Sequence, residues 1–243
     1  MIIAATNMDN NNILLACQNV TKSFGSSRAV CDFDIRIPSG KIVGLLGPNG
    51  SGKTTLIKMI AGLLLPTRGR ILVDGAPIGE ETKAVVSYLP DNGFFENWMT
   101  VNDCVALFEE FYTDFDKARA YEMLSLLGLK PNAPYKSLSK GNKEKVQLIM
   151  CMARRAKLYL LDEPIAGVDP AARDYILNTI LTNFSRESTI IISTHLLADV
   201  EEVLDEFIFL REGRAVAYNS VSLSQEQTGK TLNELFKEVF RCY

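Results

Sequence analysis

Apolar positions along this chain follow two rhythms. Continuous apolar runs stand at "KIVGLLG" (41–47), "KAVVSYLP" (83–90), "KLYLLDE" (157–163), "STIIIST" (188–194) and "DEFIFLREG" (205–213). Runs of this length, β-branched and bounded by Gly, Pro or charge, predict strands buried on both faces, as in parallel sheets. Elsewhere the spacing is that of a helix face. Leu56, Ile57, Ile60, Ala61 and Leu64 form one stripe, and Val101, Val105 and Phe108 a second. Ala120, Leu124 and Leu127 form a third, and Val146, Ile149, Met150 and Ala153 a fourth. The last three stripes fall in one block. The pattern therefore predicts an α/β fold in a single domain over 13–243. Its sheet core would span 13–91 and 157–243, with a helical subdomain inserted at 92–156. The first twelve residues, "MIIAATNMDNNN", turn polar quickly and read as a loose tail.

Composition narrows the class. With 243 residues, 47% hydrophobic and 23% charged, the chain has ordinary globular usage and length enough for a large core. A formal net charge of −3 disfavours nucleic acid as a partner, since such binders carry a basic excess or stripe. The cluster Arg154, Arg155 and Lys157 reads as cations complementing a helix C-terminus. Five cysteines (Cys17, Cys31, Cys104, Cys151 and Cys242) contain no CxxC pair, which fits reduced cytosolic thiols and neither a disulfide frame nor a zinc site. No apolar run nears the ~18 residues of a membrane span, and the start lacks the basic region of a secretory signal. The expectation is a chain soluble by itself.

Two stretches carry chemistry. "GPNGSGKT", Gly47 to Thr54, fits G-x-x-x-x-G-K-[ST] between a predicted strand and a predicted helix. Glycines let successive backbone N–H groups of Gly47, Pro48, Asn49, Gly50, Ser51 and Gly52 curl around phosphate oxygens, proline alone lacking a donor. Lys53, Thr54 and Thr55 then open a helix whose N-terminus favours anions. Lys53 supplies a full charge, and the Thr54 hydroxyl is placed for magnesium. "LYLLDEP" puts Asp162 and Glu163 directly after a buried strand, where open α/β sheets bind ligands. One carboxylate can hold a metal while the other takes a proton from water.

Further along stand "LSKGN" (138–142), "AGVD" (166–169) and His195, the only histidine, at the end of an apolar strand. In this order the motifs resemble the ATPase subunit of ABC transporters, over residues 13 to about 220. The resemblance implies a P-loop ATPase core with a mixed, largely parallel sheet, an antiparallel β edge and an inserted helical subdomain. It implies ATP and Mg2+ as cofactors, a second ATPase subunit packed head to tail as a homo- or heterodimer, and a transmembrane permease subunit that holds the chain on the inner face of the membrane. By position it assigns Glu163 as general base, His195 as the γ-phosphate sensor, Ser139 and Gly141 as caps on the neighbour's nucleotide, and Asp169 as a residue of the dimer interface. Phe24 matches the position that stacks on adenine. Asp169 before Pro170 also reads as a helix N-cap.

Two departures stand out. "YLPD" ends in Asp91 where the family has glutamine, and this shorter, charged side chain is a candidate metal ligand beside Thr54 and Asp162. Lys140 and Asn142 replace a glycine and a glutamine of the commonest signature. Beyond Asp91, "NGFFENWMT" gathers Phe94, Phe95, Trp98 and Met99. These serve either local packing or a groove for a membrane-subunit helix. Two other classes compete: a soluble ABC-type ATPase acting on ribosome or DNA, and a regulatory module that senses ATP without turnover. The first usually has two cassettes or a long coiled coil, and Glu163 with His195 argues against the second. An exporter is the expected transporter type.

Overall fold

The computed structural model describes residues 2, 3 and 12–241. After the short β1 (Ile2–Ile3) comes a long hairpin, β2 (Ile13–Phe24) and β3 (Ser27–Pro38), then β4 (Ile42–Leu46) and α1 (Lys53–Ile60). Next are β5 (Arg68–Val73), β6 (Ala76–Pro77), α2 (Glu80–Val85) and β7 (Val86–Leu89). Three helices follow, α3 (Val101–Phe111), α4 (Lys117–Leu126) and α5 (Lys140–Met152). The chain continues with β8 (Leu158–Asp162), α6 (Pro170–Asn183), β9 (Thr189–Thr194), α7 (Leu197–Val200) and β10 (Glu206–Arg211). It closes with β11 (Arg214–Ser220), α8 (Val221–Thr228) and α9 (Leu232–Val239).

The strands form two sheets. A seven-stranded sheet runs β1-β11-β10-β4-β9-β8-β7, and a four-stranded sheet runs β3-β2-β5-β6. In the large sheet only β10 and β11 pair antiparallel; the smaller sheet is antiparallel throughout. The fold is thus α/β with a mixed, largely parallel sheet, as expected. Every residue of β4, β8 and β9 is buried, which is why those strands read as unbroken apolar runs. Their side chains alternate between two clusters. Val43, Leu45, Leu160 and Ile191 join α1 and the small sheet, whereas Ile42, Leu46, Leu161, Ile190 and Ile192 join α6 and the C-terminal helices. A third cluster, including Val105, Phe108, Leu124, Tyr135 and Ile149, lies within and around α3, α4 and α5.

Four expectations need adjustment. Residues 83–85, read as strand, belong to α2. Thr82 closes a turn at its start, accepting from the Gly79 N–H and donating to the Gly79 carbonyl, and pairing begins only at Val86, opposite Leu158. The α1 stripe stops short of Leu64 because Gly62, at φ 71°, turns the chain out of the helix. Ile2 and Ile3 of the expected tail pair parallel with Ala217 and Tyr218; most of that tail lies outside the described residues, as does Cys242. Finally, Arg154 follows the C-terminus of α5, as expected, but its guanidinium does more than complement the helix dipole. It is 2% exposed, donates to the carbonyls of Val86 and Ala84, pairs with Asp114 at 3.0 Å and stacks on Tyr112. A buried guanidinium of this kind needs every donor matched, and here it ties the helical block to β7.

Candidate functional site

Strand register assembles the site. Leu46 of β4 lies opposite Thr194 of β9, Asp162 of β8 opposite Ser193, and Leu89 of β7 opposite Leu161. Counting one or two residues onward places Gly47, His195, Glu163 and Asp91 at neighbouring carboxyl ends of parallel strands, the side where such sheets bind ligands. Four motifs far apart in sequence thus meet at one edge.

The glycine-rich turn is shaped by close approach. A Cβ on Gly47 would stand 2.3 Å from the Leu210 carbonyl oxygen. Gly52 holds φ 105° as the N-cap of α1, and a Cβ there would stand 2.3 Å from the Ala29 carbonyl oxygen. No L side chain meets both demands. Ser51 braces the turn by accepting, through its carbonyl, from the Gly213 N–H, while its buried hydroxyl has no protein partner. Pro48 is half-buried, Asn49 and Gly50 are exposed, and Thr54 and Thr55 are half-buried on the first turn of α1.

Lys53 is buried, with its ammonium on the carbonyl oxygens of Gly47 (2.8 Å) and Pro48 (3.2 Å) and 3.4 Å from Glu163 Oε1. The other Glu163 oxygen, Oε2, lies 3.0 Å from His195 Nδ1. An ionised carboxylate only accepts, so Nδ1 carries the proton in that contact and Nε2 is left for a second partner. Glu163 itself has φ 50°, a left-handed backbone uncommon for a non-glycine residue. Its N–H is held by the carbonyl and hydroxyl oxygens of Ser193, which fix this conformation.

Asp162 is wholly buried. Its Oδ1 accepts from Thr54 at 3.2 Å and from the Ser193 hydroxyl, while Oδ2 has no protein partner. Burial pushes the Asp162 carboxyl above its ordinary value, the two hydroxyls pull it back, and the charges of Asp91 and Glu163 raise it further. A buried carboxylate with an unpartnered oxygen beside a threonine hydroxyl is a hard oxygen donor set. It suits magnesium, which takes one or two carboxylates along with substrate phosphates. No group of three or more His, Cys, Asp and Glu residues suited to a metal exists among the described residues.

The remaining residues form a second corner. Ser139 caps α5, accepting from the Asn142 N–H at 3.2 Å. Gly141 approaches α6, where a Cβ would lie 3.5 Å from Asp169 Oδ2 and from the Ala172 Cβ. Asp169 caps α6 through the Ala172 N–H at 2.9 Å, with Pro170 as first helical residue; the capping part of its expected role is met. Lys140 reaches the Gly167 carbonyl at 3.3 Å. Ser139 and Asp169 are exposed, and no hydrogen bond or ion pair joins this corner to residues 47–55 among the described residues. Phe24 stands apart at the tip of the β2–β3 hairpin, 51% exposed, with the Lys22 ammonium 5.1 Å from its ring centroid. That exposure rules out core packing. The aromatic stretch divides: Phe95 and Met99 are buried, while Trp98 is 77% exposed and Phe94 lines an apolar groove with Leu63, Tyr88 and Phe111.

Sequence reading missed Ser193 and Gln147. Ser193 is a polar residue directly after three isoleucines in a fully buried strand, a signal present in "IIIST". Gln147 is an amide among buried neighbours on α5, where a polar group must find a partner.

The chain matches the family model for the ABC transporter over residues 30–166. It is 32% identical over 234 residues to the SkfA peptide export ATP-binding protein SkfE of Bacillus subtilis (strain 168), covering 94% of this chain and 96% of that protein. A solved ATP binding subunit of an ABC transporter superposes with TM-score 0.84 at 29% identity, covering 93% of this chain and 99% of the other. The dimeric ATP-binding cassette MJ0796 bound to ADP and Pi shares the fold at TM-score 0.75 and 20% identity, over 85% of this chain and 98% of its own. With glycine turn, buried lysine, strand-end acids and histidine set along one sheet edge, the chain belongs to the ABC transporter family as an ATP-hydrolysing subunit.

Proposed function

We propose that this chain drives export across a membrane, working from the cytoplasmic face as one of two ATPase subunits on a transmembrane permease. The observation that carries the reading is the Lys53–Glu163–His195 constellation beside Asp162 and Thr54. Glu163 takes the proton of the attacking water, held by His195 on one side. In the imidazolium form the second ring nitrogen of His195 donates to the terminal phosphate. Lys53 moves from the Gly47 and Pro48 carbonyls to the outer phosphate oxygens, which the amides of residues 47–55 also hold. Thr54, Asp162 and Asp91 are the residues that would hold magnesium, which when bound with ATP would supply charge neutralisation at the transferred phosphoryl group. Phe24 stacks on the adenine by its ring face.

The chain carries both halves of a composite site. Its glycine turn grips a nucleotide from one side, and its Ser139, Gly141 and Asp169 corner is exposed for the nucleotide of a neighbour. Two copies packed head to tail satisfy each other, the closed arrangement two-fold symmetry allows; the MJ0796 cassette is itself dimeric. The groove lined by Leu63, Tyr88, Phe94 and Phe111, about 560 Å³, offers the aromatic lining that anchors a permease helix. Export is favoured because SkfE belongs to a peptide exporter. Among the described residues no helix is long and apolar enough to cross a membrane, so the permease must be a separate chain or segment. Replacing Glu163→Gln is expected to leave ATP binding intact and slow phosphate release by roughly tenfold or more. Unchanged turnover removes Glu163 from the role of base.

A further inference from the structure

Gln147 lies on α5, two turns past Ser139, with 5% of its surface exposed. Its neighbours on both sides, Val146 and Leu148, are fully buried apolar residues. An apolar residue would pack this position at lower cost, since a buried amide loses free energy unless bonded. What the amide does is local and specific. Its Oε1 accepts from the Phe94 N–H at 3.3 Å, and its Nε2 donates to the Lys143 carbonyl at 3.3 Å. Gly93 packs beside it, where a Cβ would make ordinary contact with Nε2 at 3.5 Å. The amide therefore holds the segment that leaves β7 through Asp91.

That segment touches three places. Asp91, Gly93 and Gln147 line one cleft of about 370 Å³ together with Glu163 and Glu144. The Phe94 side chain faces the apolar groove with Tyr88 and Phe111. Helix α5 carries Ser139 at its N-cap. Both Gln147 bonds, at 3.3 Å, are slightly longer than the usual N–H···O range, and the Gly93 packing adds to them in setting the segment's position.

We infer that Gln147 is a positioning residue for ATP hydrolysis: it fastens the Asp91–Phe94 segment to α5, so that the placement of Asp91 beside Asp162 follows the placement of α5, the helix that carries Ser139 at its N-cap. The inference rests on the proposed roles of Asp91 and of the Ser139 corner. It assigns work to a residue outside every recognised motif of the chain. A rigid-body shift of α5 moves Ser139, Gln147 and the Phe94 amide together, so one helix reads the neighbour's site and adjusts its own.

The test compares wild type with Gln147→Leu and Gln147→Met, near-isosteric changes that remove the amide and keep the volume. ATP affinity, kcat, KM and the emission of Trp98, the only tryptophan, four residues beyond Phe94, are measured on the full chain with ATP and Mg2+. In the variants kcat is expected to fall about tenfold, as for a catalytic group displaced by under an ångström, with KM changed less than about twofold. Any Trp98 emission change on adding ATP–Mg2+ is expected to be smaller in the variants than in wild type, and the variants, which leave the Phe94 N–H without its partner, are expected to melt a few degrees lower yet stay folded at the assay temperature. Wild-type kcat in either folded variant overturns the inference, as does a kcat loss accompanied by unfolding at the assay temperature. ATP binding by wild type in the same titration reports separately on the proposed site, so the two readings fail independently.

Discussion

At the scale of single residues, the site works because neighbouring side chains place opposing demands on one another. Asp162 is buried, partly bonded and pushed toward its neutral form by burial and by two nearby carboxylates. Only a cation resolves that arrangement with the carboxyl ionised. Asp91 adds to the same strain where the family has a neutral glutamine, so its replacement should alter coupling more than chemistry. Asp91→Gln is expected to keep basal turnover within about threefold of wild type while changing the stimulation by the permease several-fold. Equal stimulation of both forms removes Asp91 from coupling. The motif residues were legible because each pairs an unusual residue type with an abrupt pattern boundary: glycine after an apolar strand, two acids after another, a lone histidine after a third. Ser193 and Gln147 escaped because their significance lies in partners from other elements, Asp162 and the Phe94 amide, which periodicity does not report.

At the scale of elements, local hydrogen bonding decides where pattern alone misleads. Apolar runs in β4, β8 and β9 were legible because burial on both faces leaves no alternation to confuse. Residues 83–85 are equally apolar in part, yet the Thr82 turn commits them to α2. Arg154 follows the end of α5, but its charge is matched by the Val86 carbonyl of β7, the Ala84 carbonyl of α2 and the Asp114 carboxylate, which no helix pattern foretells. Helix α3 shows the same control at its start. Thr100 and Asp103 cap each other, and bonds from the Thr100 backbone N–H and hydroxyl hold the Asp103 carboxyl below its ordinary value. A carboxylate depressed by folding adds stability above its unfolded pKa, about 4, and loses that contribution as pH falls through the folded value. Asp103→Asn is therefore expected to lower Tm at pH 7, with the difference shrinking as pH falls below about 4. Thermal melts across that range check it, and a pH-independent difference contradicts the assignment.

At the scale of the whole molecule, two functional surfaces stand apart. One sheet edge carries the glycine turn, acids and histidine; the α5–α6 corner presents Ser139 and Asp169 outward. The apolar groove near Phe94 and Phe111 is lined by Tyr88 and Pro90 at the end of β7 and by residues of α3. Under the proposed function, closure of two subunits is the event that ATP binding drives and hydrolysis reverses. The most direct measurement is sedimentation of the Glu163→Gln protein with and without ATP and Mg2+. The account predicts monomers without nucleotide and head-to-tail dimers with it, lost again in the Ser139→Arg variant. A Glu163→Gln protein that binds ATP yet stays monomeric at every concentration contradicts it.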